Sequence, residues 1–287
     1  MHTEVKYGHR ETKFVEQLNN IDVQIVAAPS IEEFRKTISV FMMNTWNDTL
    51  QTEFSDEDID TCIKELFAGN ILPTGMETIG ITFSISGMNM VDTTHLIRHR
   101  LMSFSAQTHA DRDMRDDKVL IPASILADEQ LTERFKRLTQ DAMNLYTDML
   151  DGESVHCLDA RLVMPRCFDH FYIARACIKD VISFCKMRGD EQIQTAADNI
   201  IAMKLWLEVL KRYPFLSGIV DFDERDYFYV KQCKDGKTNI FPPNDKNDCF
   251  DWSTEQFVHS IHRDAYPGGN VYLDLRANLL KEINSYG

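Results

Sequence analysis

The 287-residue chain is long enough for one sizeable domain, or two small ones, around a full hydrophobic core. Its 44% hydrophobic and 26% charged residues are the balance of a soluble globular protein, and no apolar run approaches the roughly 18 residues of a membrane span. A formal net charge of -14 argues against tight binding of duplex nucleic acid but leaves room for a mononucleotide held by a local arginine pocket.

Residues 21–27 read as an early strand. Ser30 with Glu33 fits a capping box that opens a helix running to about Asn44. Ser55 with Asp58 marks a second helix start and Gly69 its stop, which makes the acidic run from Glu53 a solvated helix start. Residues 79–86 alternate and are rich in branched and aromatic side chains, so they predict a strand. Helical spacing over 89–102 follows. Residues 103–122 are polar and charged and predict a functional loop. Helices are predicted at 128–150, 166–188 and 191–212, the last closed by Pro214. A hairpin turning at Asp235-Gly236, an irregular stretch over 242–270 and a short C-terminal helix complete the chain. No internal repeat or low-complexity tract interrupts it.

Seven cysteines occur, none in a CxxC pair, so reduced and mostly buried thiols are expected; Cys167, Cys177 and Cys185 fall in the helix predicted at 166–188. The start, Met1-His2-Thr3-Glu4, lacks the apolar core of a signal peptide, and a cytoplasmic location is expected. Neither GxGxxG nor GxxxxGK[ST] is present, so dinucleotide and P-loop folds have no support. His259 and His262 lack the glutamate of HExxH; helix histidines are the plainer reading there, and no metal is expected.

Arg98-His99-Arg100 runs against the acidic balance of the chain. On a helix, His95, Arg98 and His99 share one face, while Arg100 points roughly 200° away from Arg98 at about 100° per residue. Such a face either grips an anion or is a basic helix end meeting the dipole. Arg161 stands at an element boundary before an apolar stretch, and Arg188 ends a long apolar helix just before Gly189. A guanidinium there either satisfies terminal carbonyls or recognises a phosphate or a pyrimidine edge.

Arg98-His99-Arg100, Ser103 and, after seven intervening residues, the hydroxyl residue Thr108 resemble the signature of the flavin-dependent thymidylate synthases of the ThyX type. Thr82-Phe83-Ser84-Ile85 matches the family strand that leads into that signature, and Glu77 the acidic residue before it. Ala160-Arg161-Leu162-Val163-Met164-Pro165 is similar to its downstream Ala-Arg-x-x-Leu-Pro element, and Arg188 falls at its second nucleotide arginine. Together these cover residues 21–215. Some positions depart. His95 stands where the family has Gln, Ser105-Ala106 replaces Asn-Glu, Ala110 replaces an arginine, and a two-residue insertion brings Arg112 into that role. Cys177, Lys179 and Ser183 replace an Asn, Arg and Asn set directed at the flavin.

The resemblance implies an α+β fold with a mixed sheet packed against long helices, a homotetramer, and sites between subunits. It divides the chain into a catalytic domain over 1–215 and an extension over 216–287 packed on it. It implies reductive C5 methylation of dUMP to dTMP, with methylenetetrahydrofolate as carbon donor and FAD, recharged by NADPH, as hydride source. His95, Arg98, Thr108, Arg112, Arg161 and Arg188 would bind the nucleotide, with Arg188 also the catalytic residue that favours the N3 anion. Arg98, His99 and Arg100 would face the flavin. The nucleotide arginines are retained while flavin contacts are lost, which keeps two alternatives open. One is a C5 hydroxymethylase of dUMP or dCMP, and the other a nucleotide-binding homologue without turnover.

Overall fold

The computed structural model of the chain describes residues 8–107, 113–152, 154–189, 196–222, 227–229, 248–251, 256–262 and 269–287. Strand β1 (Lys13–Glu16) leads into a single turn, α1 (Gln17–Asn20), whose first N–H groups are taken by the Glu16 carboxylate. Strand β2 (Asp22–Ala27) fills the first predicted strand. Helix α2 (Ile31–Met43) begins through the predicted capping box: Glu33 N–H donates to Ser30 Oγ at 3.1 Å and Ser30 N–H to Glu33 Oε2 at 2.8 Å. Helix α3 (Asp56–Phe67) is capped by Ser55 and followed by Gly69, whose φ of 79° is the left-handed conformation that glycine adopts without strain. Strand β3 (Gly80–Met88) alternates fully buried Ile81, Phe83 and Ile85 with half-buried Gly80, Thr82 and Ser84.

Here the chain departs from its predicted elements. Helix α4 (Met90–Leu96) stops after seven residues, so Arg98, His99 and Arg100 lie in the turn beyond it. The apolar residues that suggested a longer helix do not share a face: Leu96 and Met102 are buried, whereas Ile97 is 49% and Leu101 78% exposed. Strands β4 (Ser103–Ala106) and β5 (Lys118–Ile121) occupy both ends of the segment predicted as a loop. Helices α5 (Ala123–Leu126), α6 (Glu129–Asp151) and α7 (Cys157–Ala160) follow, α6 filling the prediction for 128–150.

The helix predicted at 166–188 is strand β6 (His170–Cys177) running directly into α8 (Ile178–Arg188). Its three cysteines therefore separate: Cys167 precedes the strand, Cys177 ends it, and Cys185 is buried in the helix. A short apolar run fits either period, and the Phe-Tyr-Ile content here favours the pleated surface. Helix α9 (Ala196–Arg212) ends before Pro214, as expected. Beyond it come β7 (Tyr227–Tyr229), β8 (Asp248–Asp251), β9 (Gln256–His262) and α10 (Gly269–Asn284). The stretch predicted as irregular thus contains β8 and β9, His259 and His262 lie on a strand, and the final helix has 16 residues. The Asp235-Gly236 turn lies outside the described residues.

The central sheet has the order β2-β3-β6-β4 and is antiparallel throughout. Among the described residues parallel pairing is confined to β1 and β5, while β7, β9 and β8 form a third, antiparallel sheet. Polar β4 is tolerated because it is an edge strand. One face of the central sheet packs on α9, which is buried nearly all round, and α8 and α10 close over it. Burying one large apolar side chain such as Phe83 in this core contributes roughly 1.5–3 kcal/mol. A smaller cluster, with Met143, Tyr146 and Phe168, joins α6 to β5. Among the described residues no helix is long and apolar enough to cross a membrane, and no group of residues suits a metal ion.

Candidate functional site

The C-terminal ends of α4 and α8 meet beside the first turn of α9. Asn89 caps α4 by accepting from Val91 N–H and Asp92 N–H, and the Asp92 carboxylate returns a bond to Asn89 N–H at 3.0 Å. Asp92 is buried and also accepts from Gln17 Nε2 at 2.7 Å. Burial raises its pKa to about 7, helped by the nearby Asp198 charge and opposed by the bonds from Asn89 and Gln17. The short helix then releases the chain into a turn, with His99 N–H on the Leu96 carbonyl at 3.1 Å.

Arg188, the last residue of α8, is buried and organises this turn. Its Nε donates to His99 Nε2 at 2.8 Å, Nη2 to the His95 carbonyl at 2.9 Å, and Nη1 to Asp198 Oδ2 at 3.4 Å. The same Asp198 oxygen lies 2.8 Å from His95 Nδ1. Burial lowers the Arg188 pKa, Asp198 raises it, and the Arg98 charge lowers it. His99 also packs edge-on against Phe184, at 4.7 Å between ring centres. Burial, then the Arg188 charge, pushes the His99 pKa down to about 4, so this ring is neutral at physiological pH. The result is a rigid cation backed by one carboxylate and one neutral imidazole.

The structure thus brings together His95, Arg98, His99 and Arg188. Arg98 and Arg100 are exposed and, among the described residues, have no side-chain hydrogen bond or ion pair. Arg161 is half-buried in a helical turn, Arg161–Val163, packed against α6, and no side-chain bond links it to the cluster. Thr108 and Arg112 lie outside the described residues. Sequence reading missed Asp198, Asp92 and Gln17. Asp198 had a usable signal: Asp198-Asn199 is a polar pair inside an otherwise apolar run, and a buried carboxylate needs a partner.

Just past the turn, Leu101 and Ser103 reach an open cleft of about 490 Å³ that is also lined by Glu77, Gly80, Arg175 and Lys179. Arg175 Nη1 donates to Thr82 Oγ1 at 3.1 Å, and its guanidinium crosses Gly80 so closely that a Cβ there would lie 2.4 Å from Nη2. Lys179 pairs with Glu77 at 2.5 Å, and Cys177 Sγ donates to Asp180 at 2.9 Å. Burial raises the Cys177 pKa, and the Asp180 carboxylate adds to it. Arg175, Lys179 and the Ser103 hydroxyl line this opening together with the Glu77 and Asp180 carboxylates, so Arg175 is the cation there that no carboxylate pairs with among the described residues.

The family described as thymidylate synthase complementing protein matches residues 23–215. A flavin-dependent thymidylate synthase of Pyrococcus furiosus is 27% identical over 175 residues, covering 58% of this chain and 69% of the relative. Its counterpart in Pyrococcus abyssi is 28% identical over 185 residues, covering 62% and 75%. Among solved structures, the UMP/dUMP methylase PolB from Streptomyces cacaoi, bound with 5-Br dUMP, shares the fold with a TM-score of 0.57 at 16% identity, over 70% of this chain and 93% of that one. With most of its length matched, the chain belongs to the thymidylate synthase complementing protein family and is an enzyme of the flavin-dependent thymidylate synthase type.

Proposed function

We propose that the protein methylates C5 of dUMP, taking the carbon from methylenetetrahydrofolate. The observation that carries this reading is Arg188, a buried guanidinium fixed by His99, Asp198 and the His95 carbonyl beside exposed Arg98. A preset cation facing N3 of a uracil favours the N3 anion and so raises electron density at C5. Arg98, with Arg161 and Arg112, supplies charge-assisted bonds to the phosphate, and the Thr108 hydroxyl adds a donor. No reactive cysteine is required, in keeping with the raised pKa of the Cys177 and Cys185 thiols.

Ser103, Arg175 and Lys179 would hold FAD in the open cleft, next to His99 and Arg100 of the turn. When bound and reduced, with NADPH as electron source, the flavin supplies the hydride that completes the methyl group. A second reading, C5 hydroxymethylation of dUMP or dCMP, draws support from the same cleft. Lys179 is occupied by Glu77 and Cys177 by Asp180, which leaves fewer side chains for the cofactor. Hydroxymethylation ends with water and needs no hydride.

Assembly belongs to the proposal. Leu131, Leu138 and Leu145 are 48%, 73% and 46% exposed and recur every seven residues on α6. A second copy would cover this stripe, and the Arg161 turn packed on the same helix would travel with it toward a neighbour's site. Incubating dUMP with methylenetetrahydrofolate, with and without FAD and NADPH, tests the chemistry. Reductant-dependent dTMP supports the first reading, hydroxymethyl product without reductant the second, and binding without product a non-catalytic homologue. Arg161→Ala should weaken dUMP binding by roughly 1.5–3 kcal/mol by calorimetry; unchanged affinity removes Arg161 from the site.

A further inference from the structure

The cluster contains two histidines held in opposite ways. His99 Nε2 accepts from Arg188 Nε at 2.8 Å, so its lone pair is occupied, and the ring is held neutral. His95 is engaged through its other nitrogen: Nδ1 lies 2.8 Å from Asp198 Oδ2. A carboxylate can only accept there, so Nδ1 carries the hydrogen and Nε2 the lone pair. His95 Nε2 makes no hydrogen bond among the described residues. The side chain is 34% exposed, whereas that of Asp198 is 4% exposed, so the dyad has one buried anionic end and one open basic end. Among the described residues, the charged and titratable groups around it are Asp198 from α9, Arg188 from α8, Asp92 on its own helix, and Arg98 and His99 in the turn.

We propose that His95 and Asp198 form a proton-transfer dyad in which His95 Nε2 removes the C5 proton of the bound pyrimidine. This deepens the methyl-transfer reading and rests on it. Attack by C5 on the methylene iminium of the folate forms the new C5–carbon bond from the C5=C6 pair, returns the C=N π pair to the folate nitrogen, and leaves positive charge on C6 and N1. The C5–H bond then breaks, its electron pair restores C5=C6, and the proton goes to His95 Nε2. Nδ1–H stays on Asp198, which stabilises the imidazolium. No oxidant or reductant enters this step, so it serves methylation and hydroxymethylation alike. Arg188 ties the dyad to the base, because Nη2 holds the His95 carbonyl and Nη1 shares the Asp198 oxygen. A glutamine, the residue that the family signature carries at this position, could hydrogen-bond a pyrimidine but could not accept its proton.

His95→Gln is therefore the informative variant, on a side chain exposed enough for the fold to tolerate it. Two quantities are measured: dUMP affinity by calorimetry, and tritium release from C5-tritiated dUMP with methylenetetrahydrofolate across pH. His95→Gln should hold dUMP affinity within about threefold while release falls about 100-fold to 10,000-fold. The ascending limb of the pH profile should disappear in His95→Gln and move in Asp198→Asn, where the imidazolium loses its carboxylate. Release at the wild-type rate with the limb intact in His95→Gln overturns the dyad, as does a loss explained wholly by weaker dUMP binding. Wild-type protein that fails to bind dUMP overturns the nucleotide reading and this inference together.

Discussion

The turn after α4 and the cleft beside β6 lie next to each other along the chain and are built on opposite principles. At the turn, Arg188 is fixed by Asp198 and His99, His95 by Asp198, and Asp92 by Gln17 and Asn89, while Arg98 is left exposed beside them. In the cleft, Lys179 and Glu77 pair at the surface with side chains 42% and 51% exposed, and Arg175 rests on a hydroxyl and a glycine. The first arrangement sets geometry before any ligand arrives. The second leaves groups that a ligand must pull away from one another. On the proposed function, nucleotide recognition falls to the rigid half of the site and cofactor recognition to the adaptable half.

The sharpest way to break this contrast is Arg188→Ala. It leaves Asp198 and the His95 carbonyl in the interior without their cation, so unfolding stability should fall by about 3–5 kcal/mol. Denaturant melts would measure it, and a loss under about 1 kcal/mol would mean the turn is no more fixed than the cleft. Arg188→Lys should recover only part of the loss, because one ammonium cannot span the imidazole, the carboxylate and the carbonyl.

The cleft should respond in the opposite sense. Lys179→Ala should leave stability close to that of the wild type, since exposed pairs contribute little. Gly80→Ala should also be mild, because the new methyl meets the far end of a flexible arginine. Both should change FAD affinity severalfold, read by fluorescence titration, without moving dUMP affinity. FAD should also be lost on gel filtration more readily than dUMP. Stoichiometric FAD retained through purification would show that the cleft is as preorganised as the turn.

These two halves were unequally legible in the sequence. Ser30, Ser55 and Gly69 announced their elements because capping and left-handed turns are local chemistry. Arg98, His99 and Arg188 were legible as candidates from type and spacing, but their bonds were not: Arg188 meets His99 across 89 positions and His95 meets Asp198 across 103. Apolar periodicity also extended α4 through the turn and merged β6 with α8. Burial of Leu96 and Met102 with Ile97 and Leu101 left exposed, and pairing of β6 with β3, are decided by tertiary contacts that no local window contains.

The smallest effect lies within the rigid half, where two titrations oppose each other. Asp92 is raised from 3.8 to about 7, so the folded protein holds a proton that the unfolded chain has released. Its contribution is present below pH 3.8 and is lost as pH rises through about 7. His99 is lowered from 6.5 to about 4, so the unfolded chain binds the extra proton. Its contribution is present above pH 6.5 and is lost as pH falls through about 4. Between about pH 4 and 6.5 the two slopes have opposite signs, and these groups should leave the wild-type stability nearly flat. Asp92→Asn keeps an acceptor for Gln17 and Asn89 but removes one slope, so stability should then rise with pH across that window. His99→Phe removes the other, and stability should fall with pH instead. Denaturant midpoints of both variants measured from pH 4 to 7 would resolve the two slopes. Parallel curves for the two variants would mean that Asp92 and His99 do not occupy the opposed environments that bind α4, α8 and α9 into one site.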